Sequence, residues 1–189
     1  TEVLCVGLLP GALPAVGGWS ASEFADRAVP LEEAWGKSGA ELSRRMLEAR
    51  DNESRLRIVS EALRARFDRA RAVPAALRRA LELLLGSDGR TRVAELAAAA
   101  GVGRRQLHRV FRYWTGLDVR SYSRVLRFRR ALEAHKGGAA GGWADLAFAC
   151  GYADQPHMIR EFSEFFGMSP AAAAAWWSRQ WQPGWTVPP

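Results

Sequence analysis

The sequence predicts a mainly α-helical chain: two helix-turn-helix subdomains joined by a long linker helix and preceded by a short mixed α/β segment. Three observations carry this. Apolar residues recur every three or four positions from Glu53 onward. A segment beginning at Val93 returns, with nearly the same spacing, from Trp143. Only the opening TEVLCVGLLPGALPAV has the Val- and Leu-bearing character of a strand.

Composition narrows the function classes. The 189 residues hold one large domain or two small ones, and 48% hydrophobic content suffices for cores. No stretch approaches the roughly 18 apolar residues of a membrane span, and the N-terminus lacks a signal-peptide pattern, so a cytoplasmic protein without a membrane partner is expected. Cys5 and Cys150 stand far apart without Cys-x-x-Cys spacing, which points away from a zinc site or a disulfide framework; both are expected to be buried thiols. No cofactor is implied. Charge is uneven: residues 1–50 carry 5 basic and 7 acidic groups, residues 51–100 carry 10 and 7, and residues 101–189 carry 12 and 6. A basic second half raises affinity for polyanions through phosphate neutralisation, without separating DNA from RNA or anionic lipid. Only two of the 27 basic residues are Lys, and this arginine excess alone carries little recognition meaning.

The elements follow in order. The opening run reads as a strand that stops at Pro10-Gly11. A lone strand is not stable, so it is expected to belong to a sheet whose other members are missing, as in a truncated N-terminal domain. Ser20 and Glu23 have capping-box spacing, followed by a short helical piece and a turn at Val29-Pro30. Short helices are expected around Leu31–Trp35 and Ala40–Ala49. From Glu53 to about Arg71, Leu56, Val59, Leu63 and Phe67 mark an amphipathic helix. Pro74 opens another, lined by Leu77, Leu81, Leu84 and Leu85 and ended by Gly86–Gly89. A domain boundary near Ala72–Val73 divides the chain into 1–72 and 73–189.

The repeat is the most informative feature. Leu96-Ala97 and Gly101 match Leu146-Ala147 and Gly151 at an offset of 50; Leu107, Arg109, Phe111 and Gly116 match Met158, Arg160, Phe162 and Gly167 at 51. The second copy has one extra turn residue. Each copy reads as helix, tight turn and helix, over 93–116 and 143–167. Ala97 and Ala147 permit close helix approach, Gly101 and Gly151 permit the turn, and Leu107/Phe111 and Met158/Phe162 face inward. The outward faces carry Arg104, Arg105, His108, Arg109 and Arg112 in the first copy, and Gln155, His157, Arg160 and Glu161 in the second. Arg and Gln pair with base edges in the major groove, which suits duplex DNA. Between the copies, residues 119–136 read as one helix; its 17 residues to His135 span roughly 25 Å, a spacer for reading helices about 34 Å apart on one duplex face.

These residues resemble the C-terminal domain of the AraC/XylS transcription regulators. The resemblance covers about Pro74 to Ala175 and rests on LAAAAGVGRRQLHRVFRYWTG, RVLRFRRAL and LAFACGYADQPHMIREFSEFFGMSP. It implies seven helices in two helix-turn-helix subdomains, a non-enzymatic function in binding promoter DNA, often as an activator, and base reading by Arg105, His108 and Arg109 and by Gln155, His157 and Arg160. It extends to RNA polymerase as a partner and to a small-molecule effector of unspecified kind in a full-length protein, and leaves monomer and homodimer open. PGALPAVGGWSASEFADRAVPLEEAWG resembles the tail of the sensor domains that precede some family members, which makes the N-terminal α/β segment a sensor remnant. Two departures stand out. Gly103 replaces the family's usual Ser and gives up a side-chain cap, and Gly137–Gly142 is glycine-rich enough to attach the second subdomain flexibly.

Plainer readings compete. Arg127, Arg129 and Arg130 read equally as a salt-bridged helix face. Met158, Phe162, Phe165 and Phe166 read as core. Trp176, Trp177, Trp181 and Trp185 read as packing against the rest of the chain before an interaction surface. Two other functions stay open: a sensor or protein-interaction fragment with weakened DNA binding, and a DNA-repair alkyl acceptor, against which the cysteine count argues.

Overall fold

The computed structural model describes residues 4–136 and 142–180. They form α1 (Ala12–Gly17), a 3-10 turn (Ala21–Glu23), α2 (Leu31–Glu48), α3 (Asn52–Phe67), α4 (Ala75–Gly86), α5 (Val93–Ala99), α6 (Arg104–Thr115), α7 (Val119–Lys136), α8 (Trp143–Ala149), α9 (Gln155–Phe166) and α10 (Pro170–Gln180).

No strand occurs among the described residues, which corrects the mixed α/β expectation for the N-terminal segment. Residues 4–9 take no regular structure and are exposed, and the chain enters α1 instead of continuing extended. The physical reason is the lack of a neighbour: a strand leaves a row of backbone groups for an adjacent strand to satisfy. Pro14 is tolerated in α1 because it lies in the first turn, where an amide N–H would have no acceptor within the helix. The Ser20/Glu23 capping box is present, with the Ser20 amide donating to Glu23 Oε1 at 3.1 Å. The two short helices expected between Leu31 and Ala49 are the halves of α2, broken at Gly36. Helix α3 forms, but none of its residues is buried; Leu56 and Phe67 stay exposed, so its apolar stripe is only partly covered where α1 and α2 meet it. In α4, Leu77, Leu81 and Leu84 are buried, whereas Leu85, one position off that stripe, is exposed.

The described residues group into two compact units, one of residues 1–80 and 97–119 and one of residues 81–96 and 120–189. In the first, α6 packs against α1 and the 3-10 turn. The Tyr113 hydroxyl donates to the Gly18 carbonyl at 3.0 Å, and the Ala15 carbonyl accepts the Arg71 amide at 2.9 Å. Val16, Ala21, Leu107, Phe111 and Trp114 are buried in this unit. At Gly116 the backbone of Ala21 comes so close that a Cβ would lie 3.0 Å from its carbonyl oxygen.

The second unit contains an apolar core around α7–α10. Phe128 and Leu132 of α7, Leu146 and Cys150 from α8 and its turn, Tyr152, Met158 and Phe162 toward α9, and Ala173 and Ala174 of α10 are buried together. Phe128 and Phe162 are in ring contact at 4.6 Å. Phe165 departs from the core expectation: it is exposed, with one face on Phe128 and the Arg124 guanidinium 4.9 Å from its centroid. Burial pushes the Cys150 thiol up in pKa. Cys5 is exposed, which corrects the expectation that both thiols are buried, because residues 4–9 pack into no core. Trp176 is exposed; the Phe166 and Trp177 side chains, Trp181, Trp185 and Gly137–Gly141 lie outside the described residues. No described helix is long and apolar enough to cross a membrane.

Candidate nucleic-acid interface

Both copies of the repeat build the same turn from the same bonds. After α5, the Gly101 amide donates to the Ala98 carbonyl at 3.1 Å and the Val102 amide to Ala97 at 3.0 Å. After α8, the Gly151 amide donates to Phe148 at 3.0 Å and the Tyr152 amide to Ala147 at 2.9 Å. Gly101 and Gly151 hold φ of 66° and 80°, a left-handed backbone that a side chain disfavours. The expectation that glycine makes each turn is met on both sides, and Ala97 and Ala147 are buried as the close approach requires.

The second helices begin differently. Gly103 caps α6 with extended backbone and no side-chain bond, as its lack of a side chain dictates. In the second copy, where Ala153 is the extra turn residue, Asp154 stands in the place of Gly103, and its carboxylate accepts the His157 amide at 2.6 Å, satisfying one of the free donors at the start of α9.

Helix α6 turns Leu107, Phe111 and Trp114 inward at intervals of four and three residues. Arg104, Arg105, His108, Arg109 and Arg112 are all exposed, so the five residues assigned to this face from the sequence share one solvent arc. The helix contains no acidic residue, and its arginines have no acidic partner among the described residues. On α9 the outward arc holds exposed Pro156, Ile159, Arg160 and Ser163, with Gln155 half-exposed. Pro156 and Ile159 were not singled out from the sequence. The signal was available in the repeat, since at the offset of 51 Pro156 stands where Arg105 does and Ile159 where His108 does.

Glu161 and His157 depart from their outward placement. Glu161 is buried, and its Oε1 accepts from Arg124 Nε at 2.7 Å and from Arg127 at 3.2 Å. Its inward position was also legible: it stands where the first copy has Val110. His157 is turned back on its own turn, its Nδ1 accepting the Ala153 amide at 3.3 Å. The proton of the neutral ring then sits on Nε2, 3.5 Å from Glu161 Oε1, while the ring edge meets Tyr152. Hydrogen bonds from Arg124 hold the exposed Glu164 carboxyl below the usual carboxylate range. Burial first, and the charge of Glu161 second, push the Tyr152 phenol well above the usual tyrosine range. Three further arginines of α7 are ion-paired: Arg127 with Glu161, Arg129 with Glu133 at 3.3 Å, and Arg130 with Asp88. No cluster of three or more metal-ligating side chains occurs among the described residues.

A family model described as a helix-turn-helix domain matches residues 96–175. No curated protein matches the chain. Among solved structures, a transcriptional regulator from Chromobacterium violaceum, described by its AraC-type DNA-binding domain, is 27% identical with a TM-score of 0.50 and covers 58% of this chain and 95% of its own. The DNA-binding domain of AdpA, a global transcriptional factor solved in complex with a target DNA, is 24% identical with a TM-score of 0.50 and covers 60% of this chain and all of its own. The second likeness speaks for the fold alone. Taken with the duplicated turn and the outward arc of each second helix, the family match identifies residues 96–175 as a helix-turn-helix domain, similar to the AraC-type DNA-binding domain of the Chromobacterium violaceum regulator.

Proposed function

We propose that the chain is a sequence-specific double-stranded DNA-binding transcription regulator whose helices α6 and α9 read adjacent major-groove segments of a promoter. The observation that carries this is the outward arc of α6: four arginines and a histidine, all exposed, on a helix without an acid and anchored by three buried side chains. Arg forks pair with guanine edges, and the adjoining arginines suit backbone phosphates. Arg104, Arg105, His108, Arg109 and Arg112 serve the first segment. On α9, Gln155 and Arg160 face the bases and Ile159 offers an apolar surface to a thymine methyl, while His157 positions the start of the helix. Helix α7, with 18 residues and thus about 27 Å long, acts as the linker. The likeness to a regulator described by its AraC-type DNA-binding domain supports DNA as partner. RNA polymerase, an effector and homodimerisation rest on the sequence resemblance alone.

Selection from a randomised duplex library followed by footprinting tests the proposal. The selected duplex should show two protected major-groove segments about one turn apart. Arg105→Ala and Arg160→Ala should each cost about 1–3 kcal/mol on it and far less on a scrambled duplex. Tight binding indifferent to sequence would sink the reading.

A further inference from the structure

We propose that the cleft bordered by the α4–α5 loop, α7 and α9 within the second unit is a clamp for the sugar–phosphate backbone of duplex DNA, gripping it through Arg90, Arg92 and Arg120. The inference rests on the DNA-binding reading above and adds three arginines outside both reading arcs, in a cleft that Arg160 of the α9 arc also lines.

The cleft has a volume of about 870 Å³ and is lined by six arginines and only two glutamates. Both glutamates are occupied: Glu161 by Arg124 and Arg127, Glu164 by Arg124. Arg90, Arg92, Arg120 and Arg160 are therefore left without an acidic partner among the described residues, all four exposed. Like charges held along one cleft repel one another, and that repulsion is relieved when an anion enters.

The loop that carries two of these arginines is held in place. A Cβ at Gly89 would lie 2.6 Å from the Ser123 carbonyl oxygen, so the loop backbone rests directly on α7. Asp88 is ion-paired with Arg130 of the same helix. Arg90 donates from Nε to the Ser87 carbonyl at 2.9 Å, and its stem passes 3.5 Å from the Cβ position of Gly151 in the α8–α9 turn. Guanidinium forks offer paired donors to phosphate oxygens, and holding their bases rigid reduces the ordering cost of that contact. The unpaired cations come from three elements of the cleft: the loop, α7 and, at Arg160, α9 itself. Four such cations spread over three elements of a cleft that reaches a reading helix fit a polyanion better than a single phosphate. They also supply register and orientation without sequence information.

The test compares the full chain with Arg90→Gln, Arg92→Gln, Arg120→Gln and the triple variant, with Arg57→Gln on α3 as a charge control. Thermal melts confirm folding. Affinity is read against salt on two fluorescent duplexes of equal length, one library-selected and one scrambled. Each substitution should lower the slope of log K against log salt by about 0.9, or roughly eightfold in affinity at 0.1 M salt if the contact is extinguished by 1 M. The loss should be the same on both duplexes and absent in Arg57→Gln. An unchanged slope in the triple variant, with wild-type sequence preference intact, overturns the clamp and leaves the regulator reading standing. A loss confined to the selected duplex overturns it too, because the arginines would then be reading bases. Displacement of the duplex by inorganic phosphate beyond an equal ionic strength of chloride overturns it in favour of a single-anion site. A wild type without sequence preference, whose slope still falls in the triple variant, keeps the clamp and removes the regulator reading. No duplex binding at all removes both.

Discussion

Replacing Glu161 tests how the second reading helix is held. Its side chain is 6% exposed, and one oxygen takes bonds from Arg124 and Arg127, whose side chains are 22% and 18% exposed. The other oxygen is buried without a partner. Breaking a fully buried pair costs about 3–5 kcal/mol. Here the arginines lie near enough to the surface to recover some water, and the orphaned oxygen, which costs on the order of 1 kcal/mol, is removed along with the charge. Glu161→Ala should therefore destabilise by about 2 kcal/mol, read as a fall in urea midpoint at constant m-value. Removing the whole cluster, with Glu161→Leu, Arg124→Met and Arg127→Met together, should return stability to within about 1 kcal/mol of the parent, since buried ion pairs rarely outperform apolar packing of similar volume. Glu161→Ala within about 0.5 kcal/mol of the parent, or a triple variant as unstable as the single one, would refute this account.

Three further outcomes are expected. Asp154→Ala should lower stability by about 1 kcal/mol through loss of the α9 cap, whereas Gly103→Ser, with no atom within 4 Å of its Cβ position, should raise it by a few tenths; a lower melting midpoint for Gly103→Ser would contradict the capping argument. The raised Tyr152 ionisation means the folded state keeps its phenol proton longer than the unfolded chain; that stability is complete below about pH 10 and drains away as pH rises, by up to about 1.4 kcal/mol per pH unit. Urea midpoints between about pH 9 and 12 should fall more steeply in the parent than in Tyr152→Phe, and parallel curves would rule the effect out. Exchanging thymine for uracil in the segment read by α9 should weaken parent binding about fourfold, the worth of one buried methyl near 0.8 kcal/mol, and should leave Ile159→Ala unaffected; an equal loss in both proteins would place the methyl elsewhere.

Much of this architecture was legible because the chain states it twice. Buried Leu107 and Phe111 follow from the same spacing as Met158 and Phe162, and the two turn glycines occupy the same backbone state. What periodicity missed depends on long-range partners. The Leu4–Leu9 run has strand composition but no neighbouring strand among the described residues, so local preference did not decide its conformation. Glu161 looked like a surface residue by type, yet Arg124 and Arg127, more than thirty positions earlier, make its burial tolerable. His157 was assigned to the reading face from its chemistry; the imidazole instead folds back onto the capped turn, accepting from the amide of the extra residue Ala153. In both cases aligning the copies position by position places the side chain more accurately than its type does.

The seat of α6 on the N-terminal segment has a consequence for what the segment is. Ala21 lies against Gly116, the Gly18 carbonyl receives the Tyr113 hydroxyl, and the Ser20 hydroxyl donates to the Tyr113 carbonyl at 3.4 Å, all at the trailing end of the helix, past the last of its arginines. Residues 11–23 therefore work as a bearing block: the tilt of α6 is set from behind by a stretch bonded to Tyr113 and seated on Gly116. Anything that grips, cleaves or rewrites those residues acts on the aim of the helix without touching one of its arginines.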